Sequence, residues 1–326
     1  MVYERGIEKL NLALLVTTAL VFGAVAGILA VILWLSGASG FLGIGTVLIF
    51  SLILLAVQWY IGPILVKWIT HAQEVKPNEM LELRGTLTRL ARSAGIPTPK
   101  LYVVNNSSPN AFAFGRTQGS SCIAVHTGLL ERLEQDEIEA VLAHEVAHIK
   151  HRDVIIMTLA SVLPVLLYFL VIVFGSGNSR ERSGSSAIFV FIGAIFARIL
   201  GTLLVLYLSR VREYNADAYS AYATRNPLAL MRALAKISYA VPAVQQARGA
   251  QAQNETMRAF YIANPSTSEK LRMANIVSAL NTGNDEKIRD VIEKEKKNGA
   301  FELIMTHPLT AKRLDALYNI KRELNQ

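Results

Sequence analysis

His144-Glu145-Val146-Ala147-His148 sets two imidazoles four residues apart, with a carboxylate next to the first. On a helix, positions i and i+4 share a face, so both rings can reach one metal ion. Imidazole suits zinc, and a catalytic zinc takes three protein ligands and leaves a fourth position for water. Glu145 stands where a general base could take the proton of that water. A third ligand has to come from elsewhere. The metzincin continuation needs a Gly and a His at fixed offsets, and Ile149-Lys150-His151-Arg152-Asp153 supplies neither in place. A glutamate from a later helix is the other common solution. Ser209-Arg210-Val211-Arg212-Glu213-Tyr214-Asn215-Ala216-Asp217 offers it. Glu213 and Asp217 share a helix face: Glu213 can bind a metal directly, and Asp217 can accept the free ring N–H of a ligating His and fix its tautomer.

The elements that must position these groups divide the chain into four stretches. Residues 1–66 read as a transmembrane hairpin, because no Asp, Glu, Lys, Arg or His occurs from Asn11 to Val66. A Ser/Gly-rich turn at 36–40 splits it into apolar runs at 12–35 and 41–64, each long enough to span a bilayer, and Trp59 and Tyr60 suit the interface. Arg5, Lys9 and Lys67 flank the hairpin and place both its ends on the cytoplasmic side. Residues 67–153 form the first half of a catalytic domain. Pro77 opens a helical pattern that Gly95-Ile96-Pro97 stops, strand patterns follow at 101–104, 108–115 and 121–125, and a helix runs from Asp136 to about Asp153. Residues 154–209 read as a second hydrophobic hairpin, uncharged over 154–174 around Pro164, and apolar over 187–208 except for Arg198. A charge at mid-span needs a partner or water. Residues 210–326 are helical and polar, with a loop at 281–285 and a solvated charged helix at 286–297. If the second pair is a hairpin, the chain leaves and returns on one side, and His144 and Glu213 meet at one membrane face.

Composition agrees. Hydrophobic residues make up 52% and charged residues 18% of the 326, and the mean hydropathy is +0.34, a balance that favours a membrane protein. The net charge of +8 fits cytoplasmic loops beside anionic lipid; no basic run is interleaved with aromatics, so nucleic acid is not an expected partner. The single cysteine, Cys122, lies in an apolar run and reads as packing.

Taken together, the N-terminal hairpin, Ser108-Pro109-Asn110-Ala111-Phe112-Ala113-Phe114-Gly115, the His144–His148 motif, Ser209–Asp217, and Thr306-His307-Pro308-Leu309 with Arg313 resemble the HtpX-like membrane metalloproteases, relatives of the CAAX prenyl proteases. The resemblance covers almost the whole chain. It implies a mostly α integral membrane protein with two transmembrane helical hairpins and a gluzincin-type α+β catalytic domain holding a small β-sheet. It implies a zinc metalloendopeptidase with one Zn2+ per chain, held by His144, His148 and Glu213, and Glu145 as the acid/base. It further implies a multi-pass protein of the cell membrane, with its catalytic domain in the cytoplasm, that cuts damaged or misfolded membrane proteins in a quality-control and stress-response role. In the family an edge strand beside the metal corresponds to 110–114, so Asn110 and Ala111 are candidate substrate contacts through β-augmentation. By the same resemblance His307 lies near the metal, where it could donate to an oxyanion or cap the zinc. The stretch from about 264 to 300 departs from the family in being longer and more charged. Three rival readings fit the sequence less well. A processing enzyme for lipidated peptides would need more spans, and an intramembrane protease would hold its motif within an apolar run. A scaffold with a relic site would lack a ligand or the base, and none is missing.

Overall fold

The structure is a computed structural model and describes residues 41–175, 184–249, 267–297 and 308–324. The first expected span, His307 and most of the linker between the later hydrophobic runs lie outside the described residues. The first described helix, α1 (Phe41–Thr70), takes in the second expected span and continues past Lys67. Its side chains Ile53, Leu65 and Trp68 are exposed, as an apolar face turned to lipid would be. α1 is tied to the rest of the molecule by Trp59 Nε1, which donates to the carbonyl of Arg116 at 3.2 Å, and by the Arg116 guanidinium, which donates to the carbonyl of Tyr60 at 2.7 Å.

A four-stranded mixed sheet follows, built from β1 (Gln73–Glu74), β2 (Lys100–Val104), β3 (Ala111–Phe114) and β4 (Cys122–His126) in the order β1-β2-β4-β3. β2 and β4 are parallel and β3 runs antiparallel to β4, which leaves β3 at an edge. β3 is shorter than the 108–115 strand expected. Between β1 and β2 lies α2 (Leu81–Ala94), which starts four residues after Pro77 because Lys76–Glu79 forms a turn and Met80 adopts a left-handed conformation, φ 48°. Leu87 and Leu90 of α2, Leu101, Ile123 and Val125 of the sheet, and Leu142 and Val146 of the metal-motif helix form one core.

After α3 (Thr127–Leu130), α4 (Gln135–Lys150) carries the H-E-x-x-H motif. It ends earlier than expected: Arg152 turns left-handed, φ 57°, and the chain bends by 57° into α5 (Asp153–Ala160). The apolar run 154–174 is therefore not one helix. It breaks before Pro164, whose ring blocks continuation of the preceding turn, and resumes as α6 (Leu163–Gly175). α7 (Gly184–Thr224) returns antiparallel to α6, with Gly193 against Val171 and Gly201 against Pro164. A Cβ on Gly201 would lie 2.7 Å from Pro164 Cα, so only glycine allows this approach. Among the described residues, α7 over Ile188–Thr224 is the one helix long and apolar enough to cross a membrane by itself.

α8 (Pro227–Gly249), α9 (Thr267–Thr282), α10 (Asp285–Lys297) and α11 (Thr310–Leu324) complete the fold. They share a second core of Leu230, Met231, Ile276, Ile288, Leu314 and Leu317. The expected 281–285 loop shrinks to Gly283-Asn284, and α10, expected to be solvated, buries Ile288 and Ile292.

Candidate metal centre

α4 and α7 cross at the site. Fully buried alanines, Ala140, Ala143 and Ala147 on α4 and Ala216 on α7, let the two helices approach closely. Ser220 Oγ locks the crossing by donating to the carbonyl of Ala140 at 2.6 Å. This brings together His144, His148 and Glu213, whose ligand atoms all lie within 4.8 Å of one another. The two Nε2 atoms face each other at 3.1 Å, and the Glu213 carboxylate is 3.7 Å from His144 Nε2 and 3.6 Å from His148 Nε2.

The opposite ring nitrogens meet carboxylates. His148 Nδ1 is 2.6 Å from Asp153 Oδ2, and His144 Nδ1 is 3.0 Å from Asp217 Oδ1, at an oblique approach. Each Nδ1 is therefore the protonated nitrogen. Both Nε2 lone pairs then point into the same small space, an arrangement that repels unless a cation lies between them. A tetrahedral ion with bonds of about 2.0–2.1 Å would set its ligand atoms roughly 3.3 Å apart. The observed spacings bracket that value. Charge agrees: Asp153, Glu213 and Asp217 are met by the guanidiniums of Arg212 and Arg313, and no ion pair to Glu145 is found among the described residues. Two imidazoles and one carboxylate, in a pocket with more carboxylates than guanidiniums paired to them, fit a divalent ion of zinc type.

Titration follows the same field. Burial pushes the Glu145 carboxyl above its ordinary range, against the pull of His148 and His144. Such a carboxyl is a stronger base than an exposed glutamate. Burial opposes a charge on His148, but the hydrogen bond with Asp153 and the charges of Glu213 and Glu145 outweigh it and raise its pKa. The surroundings thus favour positive charge at this position, carried by the ring or by a cation bound to it.

Glu145 itself is held by β3, since the backbone N–H of Ala113 donates to Glu145 Oε2 at 2.8 Å. In an antiparallel strand, alternate residues turn their backbone groups to the same side. Ala111 therefore shares the outward side of Ala113, toward the open edge. Asn110 does not, because its carbonyl accepts from the backbone N–H of His126 at 2.9 Å. Of the two expected substrate contacts, Ala111 offers its backbone and Asn110 only its side chain, and both line the same cavity as His144 and Glu145.

Two partners were not read from the sequence. Asp153 appeared there only as the end of a helix, and Arg212, 3.0 Å from Asp153, only as part of the Ser209–Asp217 segment. The signal was an aspartate placed just past the last turn of the motif helix. Asp217 stands where the sequence put it, gripped by Arg313 through two hydrogen bonds of 2.7 and 2.6 Å.

The sequence pattern of peptidase family M48 matches residues 77–321. The Protease HtpX homolog of Moorella thermoacetica is 34% identical over 302 residues, covering 90% of this chain and 89% of that protein. The Protease HtpX homolog of Pyrococcus abyssi is 34% identical over 324 residues, 97% of this chain and 99% of that one. Among solved structures, the crystal structure of S. mikatae Ste24p is similar with a TM-score of 0.54 at 19% identity. That likeness is one of fold, and it covers 96% of this chain but 65% of the other, just under two thirds of its length.

Proposed function

The chain belongs to peptidase family M48, and on that premise we propose that it is a membrane-bound zinc endopeptidase with His144, His148 and Glu213 as ligands and Glu145 as the base. The observation that carries this reading is the pair of facing Nε2 atoms beside Glu213, with Glu145 buried next to them. Bound there, zinc would lower the pKa of a water molecule and polarise the scissile carbonyl. The polypeptide does the rest. Asp153 and Asp217 fix the tautomers and orientations of the two rings. Ala113 N–H aims Glu145, which takes a proton from water and later passes it to the leaving amine. The open side of β3 around Ala111 pairs with an extended substrate strand, which gives main-chain affinity with little sequence preference. His307 contributes a donor to the oxyanion or a resting cap on the zinc.

The same reading extends to the setting. Residues 1–66 and 154–209 are two membrane hairpins, and 67–153 and 210–326 are the halves of one cytoplasmic catalytic domain. The antiparallel return of α7 along α6 supports this, as it brings Glu213 back beside the α4 motif. The substrates are damaged or misassembled proteins of the same cell membrane.

The test is zinc content and casein cleavage of detergent-purified protein, wild type beside Glu145→Ala. Both are prepared with chelator and then given zinc. About one zinc in each, with cleavage in the wild type alone, is the expected result. Folded wild-type protein with neither zinc nor cleavage would remove the protease reading and leave a membrane scaffold.

A further inference from the structure

The cavity that holds Glu145 does not stop at the catalytic domain. It has a volume of about 1270 Å³ and runs from β3 and α4 down between α1, α5–α6 and α7. The part of α7 that lines it is a single stripe: Arg198, Thr202, Val205, Ser209, Arg212 and Glu213. These positions recur at helical spacing on one face. The opposite faces of α7 expose Phe189, Ile192, Phe196 and Ile199, as lipid-facing surfaces do. The stripe therefore leads from the metal centre into the apolar span and ends at Arg198.

Arg198 is half-buried, and no hydrogen bond or ion pair to its guanidinium is found among the described residues. It lies near the middle of the 187–208 run, about 15 Å along the helix from either end. That is too far for its head to reach the headgroups without cost, and an ionised side chain at this depth ordinarily marks a functional path. Polar groups near Arg198 offer acceptors. Thr202 Oγ1 already spends its proton on the carbonyl of Arg198 at 3.0 Å, and Thr158 Oγ1 on that of Val154 at 2.7 Å. On α1, Gln58 Oε1 is buried and accepts no hydrogen bond among the described residues. These acceptors and the Arg198 cation match a polypeptide, which brings backbone N–H groups and carboxylates. An acyl chain would leave Arg198 and Gln58 unanswered.

We infer that Arg198 is a specificity-determining residue that binds a carboxylate of the substrate polypeptide, an acidic side chain or the free C-terminus, at a set distance from the scissile bond. This rests on the proteolytic reading above. Arg198 and Glu213 are fifteen residues apart, about 22 Å along α7. An extended chain covers that in roughly seven residues.

The experiment uses the full chain, purified in detergent and supplied with zinc. The parent substrate is a neutral peptide whose cleavage site is fixed by mass spectrometry. A series moves one Asp from two to ten residues away on either side, each with an Asn control. A second pair compares a free with an amidated C-terminus at the same spacing, which separates the two sources of carboxylate. The wild type should prefer Asp over Asn by about ten-fold or more in kcat/KM, at a spacing of about seven. The gain should fall on KM. Arg198→Gln should lose the preference, cleaving the Asp and Asn peptides alike, and Arg198→Glu should shift it to Lys. A wild type that cleaves the parent but shows no preference at any spacing overturns the inference. So does a preference that survives Arg198→Gln. A wild type that cleaves no peptide takes down the proteolytic reading, and this inference with it.

Discussion

The two ends of α4 both bury carboxylates and treat them in opposite ways. At the N-terminal end Glu137 is fully buried, and α8 closes on it with Lys236 Nζ at 2.7 Å and Arg232 Nε at 3.3 Å. Lys236 also reaches Glu134, 3.3 Å away, and Glu134 and Glu137 cap the first turn reciprocally. Every charge there is answered from within the polypeptide. At the C-terminal end four carboxylates lie beside two guanidiniums, and two imidazole nitrogens face each other at 3.1 Å. The first network is closed and holds the helix; the second stays open until a cation from outside joins it. Burial does not tell them apart, since Glu137 and Glu145 are both buried. What separates function from structure is whether each carboxylate has a cationic partner: Glu134, Asp136 and Glu137 all reach Lys236 or Arg232, whereas no ion pair to Glu145 is found among the described residues.

The comparison breaks most sharply at Glu213. Glu213→Ala removes a ligand from the open network, so zinc retained after chelation and reloading should fall from about one per chain to roughly a tenth or less. Casein cleavage should go with it, while the fold persists by circular dichroism. At the other end, Glu137→Ala vacates a fully buried carboxylate and leaves Lys236 to Glu134 and Arg232 to Asp136. It should lower stability by about 1–3 kcal/mol in denaturant unfolding, yet leave one zinc per folded chain. Loss of zinc from that variant while it stays folded would join the two networks into one. The finest distinction is Asp153→Asn, which keeps the shape and removes the charge behind His148. Zinc affinity should drop by about 10- to 100-fold in a competition titration, with little change in thermal unfolding of the metal-free protein. A large loss of metal-free stability instead would assign Asp153 to the closed kind.

The sequence carried the centre and missed much of its frame, for physical reasons. His144, Glu145 and His148 are legible because helical spacing alone puts them together, and Asp217 because it lies one turn from Glu213. Asp153 was hidden by the left-handed turn at Arg152, which swings it back toward His148 and which no periodicity announces. The break before Pro164 was open to reading from the proline; that it divides the run into α5 and α6 was not. The sheet order was out of reach too. The three main strands were visible as patterns, but the parallel pairing of β2 with β4, and with it the edge position of β3, depends on long-range contacts. α10 looked solvated because its charges outnumber Ile288 and Ile292, the two side chains that seat it on the second core.

α7 runs unbroken from Gly184 to Thr224, so on the proposed reading one rod carries both a membrane span and the third ligand. With 187–208 across the apolar layer, Glu213 would stand five residues beyond it, about 7–8 Å along the helix and level with the headgroups. That height would be a fixed clearance. Bonds just outside the apolar layer would come level with the metal centre, while bonds in the folded body of a bystander protein would stay too far away to be cut. Selectivity for unravelling neighbours would then begin with elevation, before any side chain is recognised.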